Sequence, residues 1–352
     1  MNVRPRYFIE TKDSLFFAVN TYYHPEDAVI AFLRYIPCVD GDRELNGTFY
    51  KKVDSNQAYD YIKKNHPNYL FDWNVENKKM MGVPLEDIKE IHSPIDRLKE
   101  IINDDSPNPF YEKVRLLANI FHNEANISYD NMGITGSTLA RLEKVDSSDI
   151  DFIVFGLDNH KKARQLYGRL KDDKNSPLDR IKGNFWNKVY NKRIKDGSLS
   201  FDEFIWYESR KNNRGLIKGT LFDILSTMNS EDLSIEENVY YKQIASMKIK
   251  CKIIDDSQSF DTPSIYQVSN VEILEGPSIN IEKIVSFTHT YAGEVINNEE
   301  VIASGVCEEV THLENGKKTY NLIIGTTRES INEYVKLEKS PYTYKKRIKV
   351  LL

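Results

Sequence analysis

The sequence predicts an α/β (α+β) protein in three parts: a core of mixed sheet and helices over residues 105–235, an N-terminal α+β domain over 1–104 and a C-terminal β-rich domain over 236–352. Three observations carry that expectation. Helix-like and strand-like hydrophobic periods alternate through the middle of the chain. A polar, proline-punctuated stretch from His92 to Pro109 precedes it. From about Tyr240 onward the texture changes to short β-rich runs separated by turn residues.

In the N-terminal part, RYFIETKDSLFFAVNTYY alternates with the period of a strand and AVIAFLRYIP continues it, whereas NQAYDYIKKN has the period of a helix. After Pro109, YEKVRLLANIFHNEAN places its apolar residues at helical spacing. ISYDNMGIT should then be a strand, Gly136-Ser137 a turn, TLARLEK a short helix and DIDFIVFG a strand ended by glycine. Helical patterns fill HKKARQLYGRLKDD, LDRIKGNFWNKVYNKRIKD and FDEFIWYESRKN, and GLIKGTLFDILS reads as one more strand. The runs SMKIKCKII, IYQVSNVEIL, EKIVSFTH, EVIASGVCEEV and KTYNLIIGT make the last part all-β, for which a small barrel is one solution.

Composition narrows the function classes. With 40% apolar and 29% charged residues the chain is of globular rather than disordered type. No apolar run approaches the ~20 residues that span a bilayer, and MNVRPRYFIETKD turns acidic before any signal-like apolar core develops. A cytoplasmic protein with no membrane partner is expected. Cys38, Cys251 and Cys307 are widely spaced and odd in number, so they offer neither a disulfide framework nor a CxxC metal knuckle. The histidines show no HExxH or H-x3-H spacing for zinc, and no GxGxxG or GxxxxGK[ST] phosphate loop occurs. The net charge of −5 opposes indiscriminate nucleic-acid binding, yet His160 to Lys218 holds 16 Lys plus Arg against 7 Asp plus Glu, a local +9 that leaves −14 for the rest.

The chemistry concentrates in Ile134-Thr135-Gly136-Ser137, followed after eleven intervening residues by Asp149-Ile150-Asp151-Phe152. Side chains alternate along a strand, so Asp149 and Asp151 project to one side while Ile150 and Phe152 turn the other way. Two carboxylates in one small volume repel each other and call for a cation. An all-oxygen donor set suits Mg²⁺ or Mn²⁺ rather than zinc. Asp223, inside the apolar run Leu221-Phe222-Asp223-Ile224-Leu225, is the third ligand candidate, because a carboxylate there is costly unless paired or metal-bound. Asp202 and Glu203 are weaker rivals that look like first-turn helix acids. Gly136-Ser137 permits a tight bend with close backbone approach and adds a hydroxyl.

This pattern resembles the polymerase-β-type nucleotidyltransferase superfamily, whose motif is an apolar residue, Gly-Ser, about nine to thirteen residues, then Asp-apolar-Asp-apolar, with a third Asp on a later strand. The resemblance covers about a third of the chain, and the order of elements is similar to that of a group of predicted archaeal nucleotidyltransferases. It implies a nucleotidyltransferase-fold core in which Asp149, Asp151 and Asp223 hold two Mg²⁺ ions (or Mn²⁺) and catalyse transfer of NMP from an NTP substrate, with release of pyrophosphate. Gly136, Ser137, Lys218 and Arg141 would bind the nucleotide. One departure is visible: many relatives carry a basic residue three positions after the serine, whereas Arg141 stands one position later.

Arg210, Lys211, Arg214 and Lys218 could clamp a triphosphate, although surface charge on helices explains any one of them as well. The basic segment, interleaved with Tyr167, Trp186, Tyr190, Trp206 and Tyr207, is compatible with a nucleic-acid path. It is equally compatible with a counter-charge for nucleotide; RNA is the leading acceptor class, with a protein or small-molecule AMP transferase and a non-catalytic nucleotide- or RNA-binding module as alternatives.

Overall fold

In the computed structural model, which describes residues 3–73, 78–229, 239–326 and 330–342, the chain is a mixed α+β protein. Its described residues divide into two compact units, one of residues 3–73, 78–180 and 213–229, the other of 181–212, 239–326 and 330–342. The chain therefore leaves the first unit after residue 180 and returns to it at 213. Residues 181–212, expected in the middle domain, cluster with the C-terminal residues.

The first unit contains two sheets. One is built from β1 (Phe8–Thr11), β2 (Phe16–Val19), β3 (Ala28–Pro37), β4 (Arg43–Leu45), β5 (Thr48–Lys52), β6 (Leu70–Trp73), β7 (Lys78–Pro84) and β8 (Ile88–His92), with the path β4-β5-β3-β2-β1-β8 and with β7 bridging β3 and β6. The single alternating run of the sequence becomes the β1–β2 hairpin because Ser14 takes a left-handed conformation at φ +60. Helix α1 (Ser55–Asn65) starts at a capping box between Asp54 and Gln57.

Ser93-Pro94, a loop-like step in the sequence, caps and opens helix α2 (Pro94–Asn103), and Asn108-Pro109 does the same for α3 (Pro109–Ala125). The second sheet has the order β11-β12-β13-β10-β9, from β9 (Met132–Ile134), β10 (Ile150–Phe155), β11 (Leu178–Asp179), β12 (Arg214–Ile217) and β13 (Thr220–Thr227). Only β10 and β13 run parallel in it. Helix α4 (Gly136–Leu139) follows β9, and α5 (Leu157–Leu170) follows β10 after Gly156 at φ +83.

The segment read as one strand, GLIKGTLFDILS, is instead the hairpin β12–β13. Lys218 at φ +44 and Gly219 at φ +80 form its turn, the left-handed pair that a two-residue hairpin requires. Strand β10 faces two cores. Ile150, Phe152 and Val154 join Val114, Leu117 and Phe121 of α3, whereas Ile153 and Phe155 pack with Phe17, Leu33 and Val53 of the first sheet. Strand β13 divides likewise, with Phe222 and Ile224 on the α3 side and Leu225 on the other. The two sheets thus share a core inside one unit.

The second unit pairs α6 (Asn184–Arg193) and α7 (Phe201–Lys211) with β14 (Val239–Asp255), β15 (Ser264–Glu275), β16 (Lys283–Ser286), β17 (Glu300–His312), β18 (Lys318–Ile324) and β19 (Tyr334–Leu337). Pairings β14-β15-β16-β18-β17 return from β17 to β14, a closed cycle of five strands in which β16 and β18 are parallel. Closure removes sheet edges. Asp202 and Glu203 do open α7, behind the Ser200 cap. Cys251 and Cys307 are buried in this unit and all three cysteines are free thiols. Among the described residues no helix is long and apolar enough to cross a membrane.

Candidate active site

The site lies where β9, β10 and β13 meet. Asp151 and Asp223 are register partners on the adjacent parallel strands β10 and β13, so their side chains share one face. Asp149 precedes β10 by one residue and belongs to the same face by alternation. The bend after β9 is fitted to this arrangement: Thr135 donates its amide to the Asp151 carbonyl at 2.9 Å, and Gly136 sits at φ +68. A Cβ on Gly136 would stand 2.0 Å from Asp151 Oδ2. Glycine is thus required twice, by the backbone conformation and by the carboxylate against it.

Electrostatics agree with the crowding. Asp151 keeps some exposure to solvent, but burial pushes its carboxyl up to about 6, helped by the negative charges of Asp223 and Asp149 and opposed by Lys52 and Arg6. Asp223 is held by Arg214, its register partner on β12: Nη2 donates to Oδ2 at 2.9 Å and Nε donates to Oδ1. The Arg214 side chain is 7% exposed, which makes this planar two-point pair a partly desolvated one. All three donors are carboxylates, the ligand type that suits Mg²⁺ or Mn²⁺. Asp223 shares its oxygens with Arg214, so an ion bound here would compete with that pair for them.

The chain is 40% identical over 353 residues to the uncharacterized protein MJ1086 of Methanocaldococcus jannaschii, covering 96% of this chain and 100% of that protein. It belongs to the MJ1086 family. No protein-family model and no solved structure matches it.

In this MJ1086-family chain the remaining residues expected at the site are dispersed. Ser137 remains beside it, its hydroxyl 3.5 Å from that of Ser148. Arg141 follows the short helix at φ +54 and its guanidinium binds Glu100 at 2.6 Å. Lys218 does not share a strand with Asp223: it is exposed in the β12–β13 turn, the end of the hairpin opposite the register pair Arg214–Asp223. Lys211 is buried in the other unit with Glu208 and Glu294, and Arg210 pairs there with Glu299 over the Trp206 ring. Trp186, Tyr190 and Phe204 pack edge to face. Arg210, Lys211, Trp186 and Tyr190 thus serve internal packing, whereas Lys161, Lys162, Lys182, Lys188, Lys192 and Lys195 of the same segment are exposed.

Two contributors escaped the sequence reading. Lys52 and Arg6, whose charges reach Asp151, belong to the N-terminal residues, and no spacing rule connects positions 6 or 52 with 151. Among the described residues, the group of three or more potential metal ligands with donor atoms all within 4.8 Å of one another is Glu10, Glu90 and His92, not the aspartates. There Glu10 is already neutralised by Lys89 at 2.6 Å and contacts His92 at 3.2 Å, an ion-pair network complete without a metal.

Proposed function

We propose that the first unit carries a metal-dependent nucleotidyltransferase site with a nucleotidyltransferase-type core. The observation that carries this reading is the register pairing of Asp151 with Asp223, with Gly136 pressed against the Asp151 carboxylate. A carboxylate whose proton affinity is raised by burial and by two acidic neighbours, as that of Asp151 is, is expensive in an idle surface and useful around divalent cations. With Mg²⁺ or Mn²⁺ bound, Asp149 and Asp151 would hold metal against a nucleoside triphosphate. The metal would neutralise phosphate charge and acidify the attacking hydroxyl. In the reaction a hydroxyl oxygen bonds to the α-phosphorus, the bond from that phosphorus to the bridging oxygen breaks, pyrophosphate leaves and the hydroxyl proton is released.

The test is incubation with Mg²⁺ and each α-³²P-labelled NTP in the presence of total RNA, cell protein or buffer. Label on RNA supports an RNA acceptor, label on a protein band supports protein AMP transfer, and Asp149→Ala should abolish either. One observation favours a second reading. Arg214 already neutralises Asp223 through both oxygens, as in a module that binds nucleotide without transferring it. Nucleotide binding that persists in Asp149→Ala, with no label moved by the wild type, would decide for that module.

A further inference from the structure

The aspartates face the N-terminal sheet. Alternation along β10 puts Asp151 on the side of Ile153 and Phe155, and along β13 puts Asp223 on the side of Leu225; these three apolar residues pack with Phe17, Leu33 and Val53 of that sheet. The bend residues are joined to it as well. Thr135 Oγ1 donates to the Arg6 carbonyl at 2.6 Å, Arg43 donates to the Leu142 carbonyl, and Leu139, Ala140 and Leu142 share a buried cluster with Tyr35 and Tyr50.

Lys52 is placed by the same frame. It is the register partner of Tyr35, so the two side chains leave the sheet on one face, and that face carries the cluster against the bend. Lys52 itself is exposed at the end of β5. Arg6 is held at φ +82, a conformation costly for arginine, with its amide bonded to Val19 and its carbonyl to Thr135.

We propose that the N-terminal sheet is part of the substrate site, and that Lys52 and Arg6 bind the triphosphate of an incoming nucleoside triphosphate. The Arg6 backbone is bonded to the residue before Gly136, and Lys52 leaves the sheet on the face that packs against the same bend, which puts both beside the Asp151 carboxylate. The charge balance asks for them. Three carboxylates and a triphosphate bring together about seven negative charges, of which two divalent ions and Arg214 offset about five. Lys52 and Arg6 supply the rest.

This inference rests on the nucleotide reading of the aspartate site, and its test separates the two. Each α,β-methylene nucleoside triphosphate, with Mg²⁺, is titrated calorimetrically into the full chain beside the matching monophosphate. Lys52→Ala should weaken triphosphate binding by roughly tenfold or more while monophosphate binding changes little, and Lys52→Arg should restore it. Arg6→Gly should lose triphosphate affinity with a melting temperature no lower than that of the wild type, because glycine accepts the left-handed backbone. Wild type that binds triphosphate and Lys52→Ala that binds it as tightly would overturn the inference and leave the site reading standing. Equal losses for triphosphate and monophosphate would also overturn it. Wild type that binds no triphosphate would overturn both.

Discussion

Gly136 leaves no room for a side chain against the Asp151 carboxylate, and mutants of the two test the site at the scale of single residues. Gly136→Ala must accept both φ +68 and a methyl 2.0 Å from a carboxylate oxygen. A loss of about 1–3 kcal/mol in urea denaturation is expected, together with loss of metal-dependent activity. Asp151 provides a test by pH. Folding raises its pKa from 3.8 to about 6, so the folded state binds the proton more tightly than the unfolded chain does. The associated stability is full below pH 3.8 and declines as pH rises through 6. Metal-free wild type should therefore lose about 1–3 kcal/mol across that window after allowance for partial solvent screening. Asp151→Asn should flatten the profile and be the more stable protein at pH 7.5 without metal; equal slopes in the two proteins would refute this.

Elements carry a different set of forces. Helix α7 is tied into its unit by Lys211, 1% exposed, which meets Glu208 at 2.6 Å, Glu294 at 2.7 Å and the Thr290 carbonyl at 2.7 Å. One lysine serves two buried carboxylates, and burial pushes Glu294 up to about 7 even with Lys211 beside it. Removing the cation leaves both acids without their main counter-charge. Lys211→Met should cost about 3–5 kcal/mol, read from the denaturant midpoint at pH 8. Glu294→Gln should cost far less at that pH, because it removes a group that is costly to ionise there. The same scale explains the strand misread as one piece. GLIKGTLFDILS has continuous β propensity, and only the left-handed pair Lys218-Gly219 reveals a hairpin. A Lys-Gly step is a weaker turn signal than Asn-Gly, and a chain of apolar neighbours hides it.

For the molecule as a whole, the first 104 residues and the core sheet behave as one compact unit. Phe17, Leu33 and Val53 share a cluster with Ile153, Phe155 and Leu225, and Tyr35 and Tyr50 share another with Leu139 and Leu142. A truncation that begins at residue 105 would expose both apolar surfaces, so it should be recovered aggregated under conditions that keep the full chain in solution. A soluble 105–352 fragment with a sharp melting transition would contradict this. Charge belongs to this scale too. Many cations of the basic run from His160 to Lys218 end in pairs such as Arg180–Asp172, Arg193–Glu208 and Arg214–Asp223. The acceptor is therefore to be sought by labelling rather than from the charge of that segment.

The sequence by itself determined the local parts of this protein: the alternation that puts Asp149 and Asp151 on one face, the glycine bend before α4, a carboxylate within the apolar β13 run, and the β-rich texture of the last third. Each rests on periods of two or 3.6 residues, or on one residue's conformational range, and such signals are contained in a short window. Tertiary structure alone decided that Arg214 occupies Asp223, that residues 181–212 join the C-terminal unit, and that the charges of Lys52 and Arg6 reach Asp151. Those outcomes depend on strand register and on the closing of long loops, which are settled by the packing of the whole unit and leave no trace in the spacing of neighbouring residues.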